Sequence, residues 1–325
     1  MRCLRVLTWH VHGSYLFYLA QAPHEFFLPV KANPADGYAG RAGAFPWPPN
    51  VHEVPVEHVR YLGLDCVLFQ SRQAYLVDQF EILSPVQRRL PAVYLEHDPP
   101  REHPTDTPHV VDDPNVLLVQ VTPFNALMWN AGRTPVRVIP HGVVIPDQVR
   151  YTGELARGIV VVNNLAARGR RLGADLFDRA RRQVPLDLIG MQAATFGGLG
   201  EVEPPAVPAF MGTYRFFFHP ARYTSLGLAV CEAMMVGLPI VGLATTELVS
   251  TVHNGVSGYV STDPMQLMEA MRDLLDHPAE ARRLGDGARA FAVEHFNIQR
   301  FANDWSEVLL EAVGGRHRTF AGAIA

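Results

Sequence analysis

Short apolar segments, each followed by a glycine- or proline-containing turn, recur along the chain. The first covers 4–8 and is followed by a turn around Gly13 and a short aromatic-rich helix at 15–21. A buried strand, a glycine turn and a helix form the opening unit of a doubly wound α/β domain. Similar apolar segments predict further strands at 26–30, 66–70, 92–96, 116–121, 136–139, 158–162, 186–189, 216–219 and 240–241.

Three other features complete the predicted element pattern. Residues 33–50 contain too many prolines and glycines for regular structure, and we expect them to lie over a ligand-binding cleft or its acceptor side. Thr122 followed by Pro123 predicts the start of a helix. A last helix at about 298–312 is amphipathic, with Phe301 and Trp305 on its apolar side.

The length of the chain predicts two domains. A chain of 325 residues is too long for one ordinary core, and the predicted domains are 1–150 and 151–325, with a linker near 145–156. The net charge of −4 is spread evenly over the two halves, which argues against a nucleic-acid partner.

Hydrophobicity and cysteine content indicate a cytoplasmic protein. With 48% hydrophobic and 18% charged residues, the composition is that of a globular protein and excludes a disordered one. The sequence contains no run of about 18 apolar residues, so it predicts no transmembrane helix. Peripheral contact with a membrane stays open. The three cysteines lie far apart, which predicts reduced thiols.

The segment 223–242 concentrates the candidate chemistry. It reads Y-T-S-L-G-L-A-V-C-E-A-M-M-V-G-L-P-I-V-G and predicts a loop, a short helix, a sharp stop and a buried strand. Glu232 is the one charge in this helix. Gly227 lets a ligand approach the backbone, and the N–H groups of a helix start suit a diphosphate. The alternative is a buried helix whose glutamate pairs with a neighbouring arginine.

The same segment resembles the signature E-G-F-G-L-x-x-x-E-A-M-A-x-G-x-P-V-V of retaining GT-B glycosyltransferases, most closely glycosyltransferase family 4. The residues in register are Gly227, Leu228, Glu232, Ala233, Met234, Gly237 and Pro239. The resemblance implies an α/β fold of two Rossmann-like doubly wound domains facing a central cleft, with the C-terminal helix crossing back onto the first domain.

The resemblance also implies an activity. It is the transfer, with retention of configuration, of a sugar from a nucleoside-diphosphate sugar to a hydroxyl of a saccharide or lipid-linked acceptor, in polysaccharide or glycoconjugate biosynthesis. Neither a cofactor nor a metal is expected. A GT-B sugar epimerase or hydrolase, and a nucleotide-sugar-binding partner without catalysis, are the alternatives.

Residue by residue, the resemblance implies the following roles in the signature. Glu232 matches the glutamate that holds the ribose hydroxyls. The loop whose amides hold the phosphates corresponds to Ser225, Leu226, Gly227 and Leu228. Thr224 stands where the family has a first glutamate in contact with the donor sugar.

Residues 163–173, N-N-L-A-A-R-G-R-R-L-G, match the place where the family has two cations that clamp the diphosphate. Asn164 takes the position of the family's arginine, and Lys31 is the only lysine in the chain. The nearby arginines are Arg168, Arg170 and Arg171. A guanidinium can hold phosphate oxygens bidentately, so an arginine can serve as clamp. A solvated basic turn is the alternative.

In the first domain the resemblance points to three residues. Gly13 lies in the loop that borders the donor phosphates in the family. His97 and Asp98 follow the strand at 92–96, where the family commonly has a His or Asp that reaches the reacting sugar. An ordinary ion-paired loop is the alternative for Asp98. The spacing of histidines and prolines around these residues does not fit a helical zinc site.

Overall fold

The computed structural model describes residues 2–33 and 37–315. The chain divides into two compact units, the first made of Met1–His141 and Ile298–Ala325 and the second of Gly142–Asn297. The division therefore comes before the predicted position 150, and the chain enters and leaves the second unit once each.

The first unit contains one parallel sheet of seven strands. These are β1 (Arg5–Thr8), β2 (Glu25–Val30), β3 (Val51–Pro55), β4 (Cys66–Phe69), β5 (Ala92–Glu96), β6 (Val116–Gln120) and β7 (Val136–Val138). Their order in the sheet is β3-β2-β1-β4-β5-β6-β7. The chain leaves β1 first towards one edge and then, from β4, towards the other, which is doubly wound topology.

Short helices connect these strands. They are α1 (Gly13–Leu19), α2 (Val56–Val59), α3 (Gln79–Ile82), which follows a π-helical turn at Ala74–Asp78, and α4 (Pro123–Met128). The predicted cap of α4 is confirmed, since Thr122 Oγ1 accepts a hydrogen bond of 3.1 Å from the Asn125 amide. The described part of 33–50 forms neither helix nor extended strand, as its breaker content predicts.

The second unit contains a parallel sheet of five strands. These are β8 (Leu155–Val161), β9 (Leu186–Ile189), β10 (Tyr214–His219), β11 (Ile240–Leu243) and β12 (Gly258–Ser261), in the order β12-β11-β10-β8-β9. The winding direction reverses between β8 and β10. In open α/β sheets ligands bind beyond the carboxyl ends of the strands at such a reversal.

Helices cover both faces of this sheet. They are α5 (Leu165–Arg168), α6 (Ala174–Ala180), α7 (Val207–Met211), α8 (Leu228–Val236), α9 (Leu248–Thr251), α10 (Pro264–Asp276) and α11 (Pro278–His295). Among the residues that the structure describes, no helix has the length and hydrophobicity needed to cross a bilayer.

The last helix, α12 (Ile298–Val313), belongs to the first unit, as the resemblance implied. Phe301 and Trp305 on its apolar side are fully buried. Their rings pack at 5.5 and 6.4 Å from the ring of Tyr15 in α1, and Trp305 Nε1 donates a hydrogen bond of 3.1 Å to the Tyr15 hydroxyl. An ion pair of 2.6 Å between Arg137 and Glu311 adds a second attachment.

Candidate functional site

Two loops meet at the point where the second sheet reverses direction. Residues 163–173 follow β8, and 220–227 follow β10. The amides of Arg222 and Tyr223 donate to the Arg171 carbonyl at 2.9 and 3.2 Å, and Arg171 Nη1 lies 3.4 Å from the Tyr223 carbonyl. The structure therefore joins the predicted arginine loop directly to the predicted signature loop.

A glycine permits this close approach. Gly173 has φ +84°, and a Cβ on it would lie 2.1 Å from the Pro220 carbonyl oxygen. Any other residue would force the two loops apart. Asn164, at the other end of the arginine loop, is also left-handed (φ 55°), and its amide donates to the Met191 carbonyl at 2.7 Å. Asparagine tolerates this conformation better than most residues, so the backbone turn accounts for its presence.

The helix α8 begins directly at the signature loop. Gly227 precedes it with φ +89°, a conformation that favours glycine, and its carbonyl accepts from the Val230 amide at 3.1 Å. The first amides of an α-helix have no acceptor within the helix, so those of Leu228 and Ala229 are available to a ligand. Within the loop, Ser225 and Leu226 are buried and Thr224 is half-buried.

Glu232 is buried in α8. The residue is 8% exposed, and the residues beside it in the helix, Cys231, Ala233 and Met234, are fully buried. A carboxylate in such a place is stable only when hydrogen-bond donors or cations face it. Its position, four residues after the start of α8, places it one helical turn behind the loop that would hold phosphates.

The structure separates the three arginines of the other loop. Arg170 forms an ion pair of 2.6 Å with Asp175, which also receives two hydrogen bonds of 2.6 and 2.9 Å from Arg222. The Arg222 bonds, followed by the charges of Arg222 and Arg170, lower the pKa of Asp175. Arg168 is exposed, and Arg171 is half-buried against the signature loop.

Replacement of these arginines one at a time should therefore give unequal effects. We expect Arg171→Ala to lower turnover by roughly 10- to 100-fold, since a charge-assisted bond to phosphate contributes about 1.5 to 3 kcal/mol. Arg170→Ala serves as control and should change turnover by less than about threefold, because an exposed ion pair contributes at most about 1 kcal/mol. Equal, small losses at Arg168, Arg170 and Arg171 would identify the loop as a solvated basic turn.

In the first unit, His97 lies immediately after β5. Its ring contacts the rings of His12 and Tyr15 at 4.3 and 4.8 Å, and its Nε2 lies 3.1 Å from Gln70 Oε1. Burial, with smaller contributions from His12 and His141, holds the pKa of His97 well below its usual range. His97 is therefore a neutral imidazole at pH 7.

Asp98 has local partners instead. Arg101 donates to its carboxylate, and its carbonyl accepts from Trp129 Nε1 at 2.8 Å. Glu96 faces the buried His109 at 3.3 Å. This arrangement is an ordinary ion-paired loop, the alternative given in the sequence analysis. A contact of Asp98 with a sugar stays a prediction.

Gly13 is the first residue of α1 and is surrounded by aromatic rings. A Cβ on Gly13 would lie 3.0 Å from His10 Nε2 and 3.2 Å from the ring of Phe45. Packing of the 37–50 segment over the start of α1 therefore accounts for this glycine, and its proximity to phosphates stays a prediction.

The sequence does not predict several of these contacts. Gln70 bonds His97, which lies 27 residues further along the chain, and Asp175 pairs with Arg222, which lies 47 residues further along. A polar residue at the carboxyl end of an apolar strand, as at Gln70, is the signal that could have been used. Within 2–33 and 37–315, no three His, Cys, Asp or Glu side chains form a group that could hold a metal ion.

A segment of the second unit matches a known protein family. Residues 194–291, which contain the signature loop and α8, match the model of the family described as glycosyl transferases group 1. This segment is a glycosyl transferases group 1 region. Sequence relatives of the chain include D-inositol 3-phosphate glycosyltransferase 1 of Catenulispora acidiphila, 38% identical over 104 residues (29% of this chain, 25% of the relative).

A second relative is glycogen synthase of Mycobacterium tuberculosis, 34% identical over 102 residues, which are 30% of this chain and 24% of the relative. The chain thus spans about a quarter of the length of the curated relatives that it matches.

Solved structures match nearly the whole chain. Sucrose-phosphate synthase of Thermosynechococcus elongatus is 17% identical with a TM-score of 0.69, covering 96% of this chain and 100% of that one. Anabaena HepE in complex with UDP is 16% identical with a TM-score of 0.65, covering 95% and 99%. At these identities the likeness shows the fold, and it confirms the GT-B class predicted from the signature.

Proposed function

We propose that this chain is a retaining glycosyltransferase that transfers a sugar from a nucleoside-diphosphate sugar to an acceptor hydroxyl. The observation that carries the proposal is the junction of the two loops in the second unit. It brings the start of α8, Arg171 and the buried Glu232 to the carboxyl edge of one sheet, at the reversal between β8 and β10. Such a place suits a dinucleotide or nucleoside diphosphate.

The chemistry follows from these groups. Cleavage of the bond between the sugar and the diphosphate leaves negative charge on the departing oxygens. The amides at the start of α8 and a guanidinium are oriented donors that stabilise this charge without rearranging during the reaction. The Glu232 carboxylate would accept hydrogen bonds from the ribose hydroxyls and fix the nucleotide. Retention of configuration is inferred from the signature alone.

The matched proteins support a nucleotide-sugar donor. The sequence relatives include a glycosyltransferase and a glycogen synthase, and the structural neighbours include HepE crystallised with UDP-glucose and a pneumococcal transferase crystallised with UDP and GlcNAc. We also propose a saccharide or lipid-linked acceptor, because the signature in 223–242 resembles that of enzymes with such acceptors.

The direct test measures release of nucleoside diphosphate from UDP-, GDP-, ADP- and TDP-sugars, with and without a mixture of saccharide and lipid-linked acceptors. A transferase should release the diphosphate much faster when the acceptor is present. Equal release without acceptor would indicate a hydrolase, and conversion of the sugar without release an epimerase. Neither release of diphosphate nor conversion of the sugar with any donor would contradict all of these activities.

A second candidate is a nucleotide-sugar-binding partner without catalysis. It is favoured by Thr224, which stands where the family has a glutamate in contact with the sugar. Such a protein would be stabilised against unfolding by a nucleoside diphosphate, because a ligand of the folded state raises stability by mass action. It would nevertheless turn over no donor.

Thr224 also gives a test of donor recognition. If Thr224 faces the sugar, Thr224→Ala should cost about 0.5 to 1.5 kcal/mol of transition-state binding, the contribution of a neutral hydrogen bond. Thr224→Glu should change the preference among donors that share one base more than it changes nucleotide affinity. The measurement is kcat/KM for such a donor panel. Identical donor profiles in wild type and both variants would place Thr224 away from the sugar.

A further inference from the structure

A buried glutamine at the carboxyl edge of the first sheet has a fixed orientation. Gln70 directly follows β4 and is 4% exposed. Its Nε2 lies 2.8 Å from Thr8 Oγ1 and 3.1 Å from the Trp9 carbonyl oxygen. A carbonyl oxygen can only accept a hydrogen bond, so the amide nitrogen must face Trp9. The amide oxygen of Gln70 therefore points to His97 Nε2, 3.1 Å away.

This orientation determines the tautomer of His97. Because the amide oxygen can only accept, His97 Nε2 must carry the hydrogen. The ring is neutral, so it has one N–H only. Nδ1 is then unprotonated, and among the described residues it has no hydrogen-bond partner.

The groups around the His97 ring favour its neutral state. His12 precedes α1, Tyr15 lies within α1, and both contact the ring, while His141 approaches from the segment after β7. None of these groups is a carboxylate that would attract a second proton. Asn125 Nδ2 donates to the His97 carbonyl at 3.3 Å and fixes the backbone.

We propose that Gln70 is a positioning residue that holds His97 in the Nε2–H form, so that Nδ1 accepts a hydrogen bond from a hydroxyl group of a substrate bound at the carboxyl edge of the first sheet. The role towards the substrate rests on the proposed function. The assignment of the tautomer rests on the geometry around Gln70 and can be tested separately.

The first experiment reads the tautomer by NMR of the protein labelled with 15N-histidine at pH 7. Signals of His97 are identified by their loss in His97→Gln. We expect wild type to show Nε2–H and bare Nδ1. Gln70→Met, which keeps the side-chain volume, should show a mixture of the two tautomers or Nδ1–H.

A matched control is available in the same unit. Gln87 is also buried, and its Nε2 donates to the carbonyls of Val59 and Leu62, both at 2.9 Å, while its Oε1 accepts from the Ser84 amide. Gln87→Met should leave the His97 signals unchanged. A wild-type spectrum with Nδ1–H, or an unchanged Nε2–H spectrum together with unchanged turnover in Gln70→Met, would overturn the inference.

Kinetics test the consequence for the substrate. Gln70→Met should lower kcat/KM roughly tenfold, the effect of one hydrogen bond, while affinity for the nucleoside diphosphate alone stays within about twofold. In Gln70→Glu the added carboxylate should raise the pKa of His97, so that the ring is doubly protonated at pH 7. Its turnover should be low at pH 7 and recover as pH rises.

Because Gln70→Met and Gln70→Glu are each measured by NMR and by kinetics, failure of the tautomer assignment can be told from failure of the proposed function. If Gln70→Met does not fold, Gln70→Glu gives both the spectrum and the pH profile. A wild-type protein that turns over no donor contradicts the proposed function, while its spectrum still decides the tautomer. A pH profile of Gln70→Glu identical to that of wild type contradicts the positioning role.

Discussion

Glu232→Ala should weaken binding of a nucleoside diphosphate by at least about 100-fold. Two charge-assisted hydrogen bonds from a ribose contribute on the order of 1.5 to 3 kcal/mol each, and the variant loses both. Glu232→Gln keeps the shape but not the charge, so its affinity should lie between those of Glu232→Ala and wild type. Isothermal titration calorimetry with the diphosphate of the preferred donor measures the difference.

The control for this experiment lies beside the site. Cys231→Ala changes a fully buried neighbour on the same helix and should leave nucleotide affinity within about threefold of wild type. Thermal unfolding without ligand shows whether each variant folds. Unfolded Glu232 variants, together with a wild type that binds no nucleotide, would make Glu232 a structural ion-pair residue.

The largest effect on stability is expected at Arg215 in β10. Its guanidinium is buried and donates to three backbone carbonyls, those of Gly153, Leu274 and Leu275, at 2.9, 3.3 and 2.8 Å. Arg215→Met fills the space but leaves these acceptors without donors. Since an unsatisfied buried acceptor costs about 1 to 3 kcal/mol, we expect a loss of about 3 kcal/mol or more in the free energy of unfolding.

An exposed arginine of the same sheet provides the comparison. Arg157 forms two hydrogen bonds of 2.8 and 2.6 Å with Asp187, but its side chain is 43% exposed. Arg157→Met should cost no more than about 1 kcal/mol. Urea unfolding of both variants measures the difference, and similar midpoints would show that the carbonyls around Arg215 find water or other donors.

Most strands of both sheets could be predicted from the sequence because parallel strands buried on both faces are continuous apolar runs. β3 was missed for the opposite reason. It forms an edge of its sheet, only Val51 and Val54 are buried in it, and it ends in Pro55, so Val51–Pro55 does not stand out from the irregular segment before it.

The candidate site was predictable where its residues are neighbours in the chain. The signature loop, Gly227 and Glu232 lie within one continuous segment. The contacts between Gln70 and His97, and between Arg222 and Asp175, join residues from separate parts of the chain. The order of strands in each sheet brings these parts together, and periodicity does not give that order. Asn164 was assigned by register to the family's arginine position, and its left-handed backbone gives it a conformational role.

The attachment of α12 to the first unit has a consequence for synthesis on the ribosome. Tyr15 emerges early, but Phe301 and Trp305, which bury it, are translated only after the whole of Gly142–Asn297. The second unit is continuous and can form its core as soon as it leaves the exit tunnel. The apolar surface around Tyr15 stays uncovered until α12 is synthesised. The first unit therefore begins synthesis before the second unit but completes its core after it.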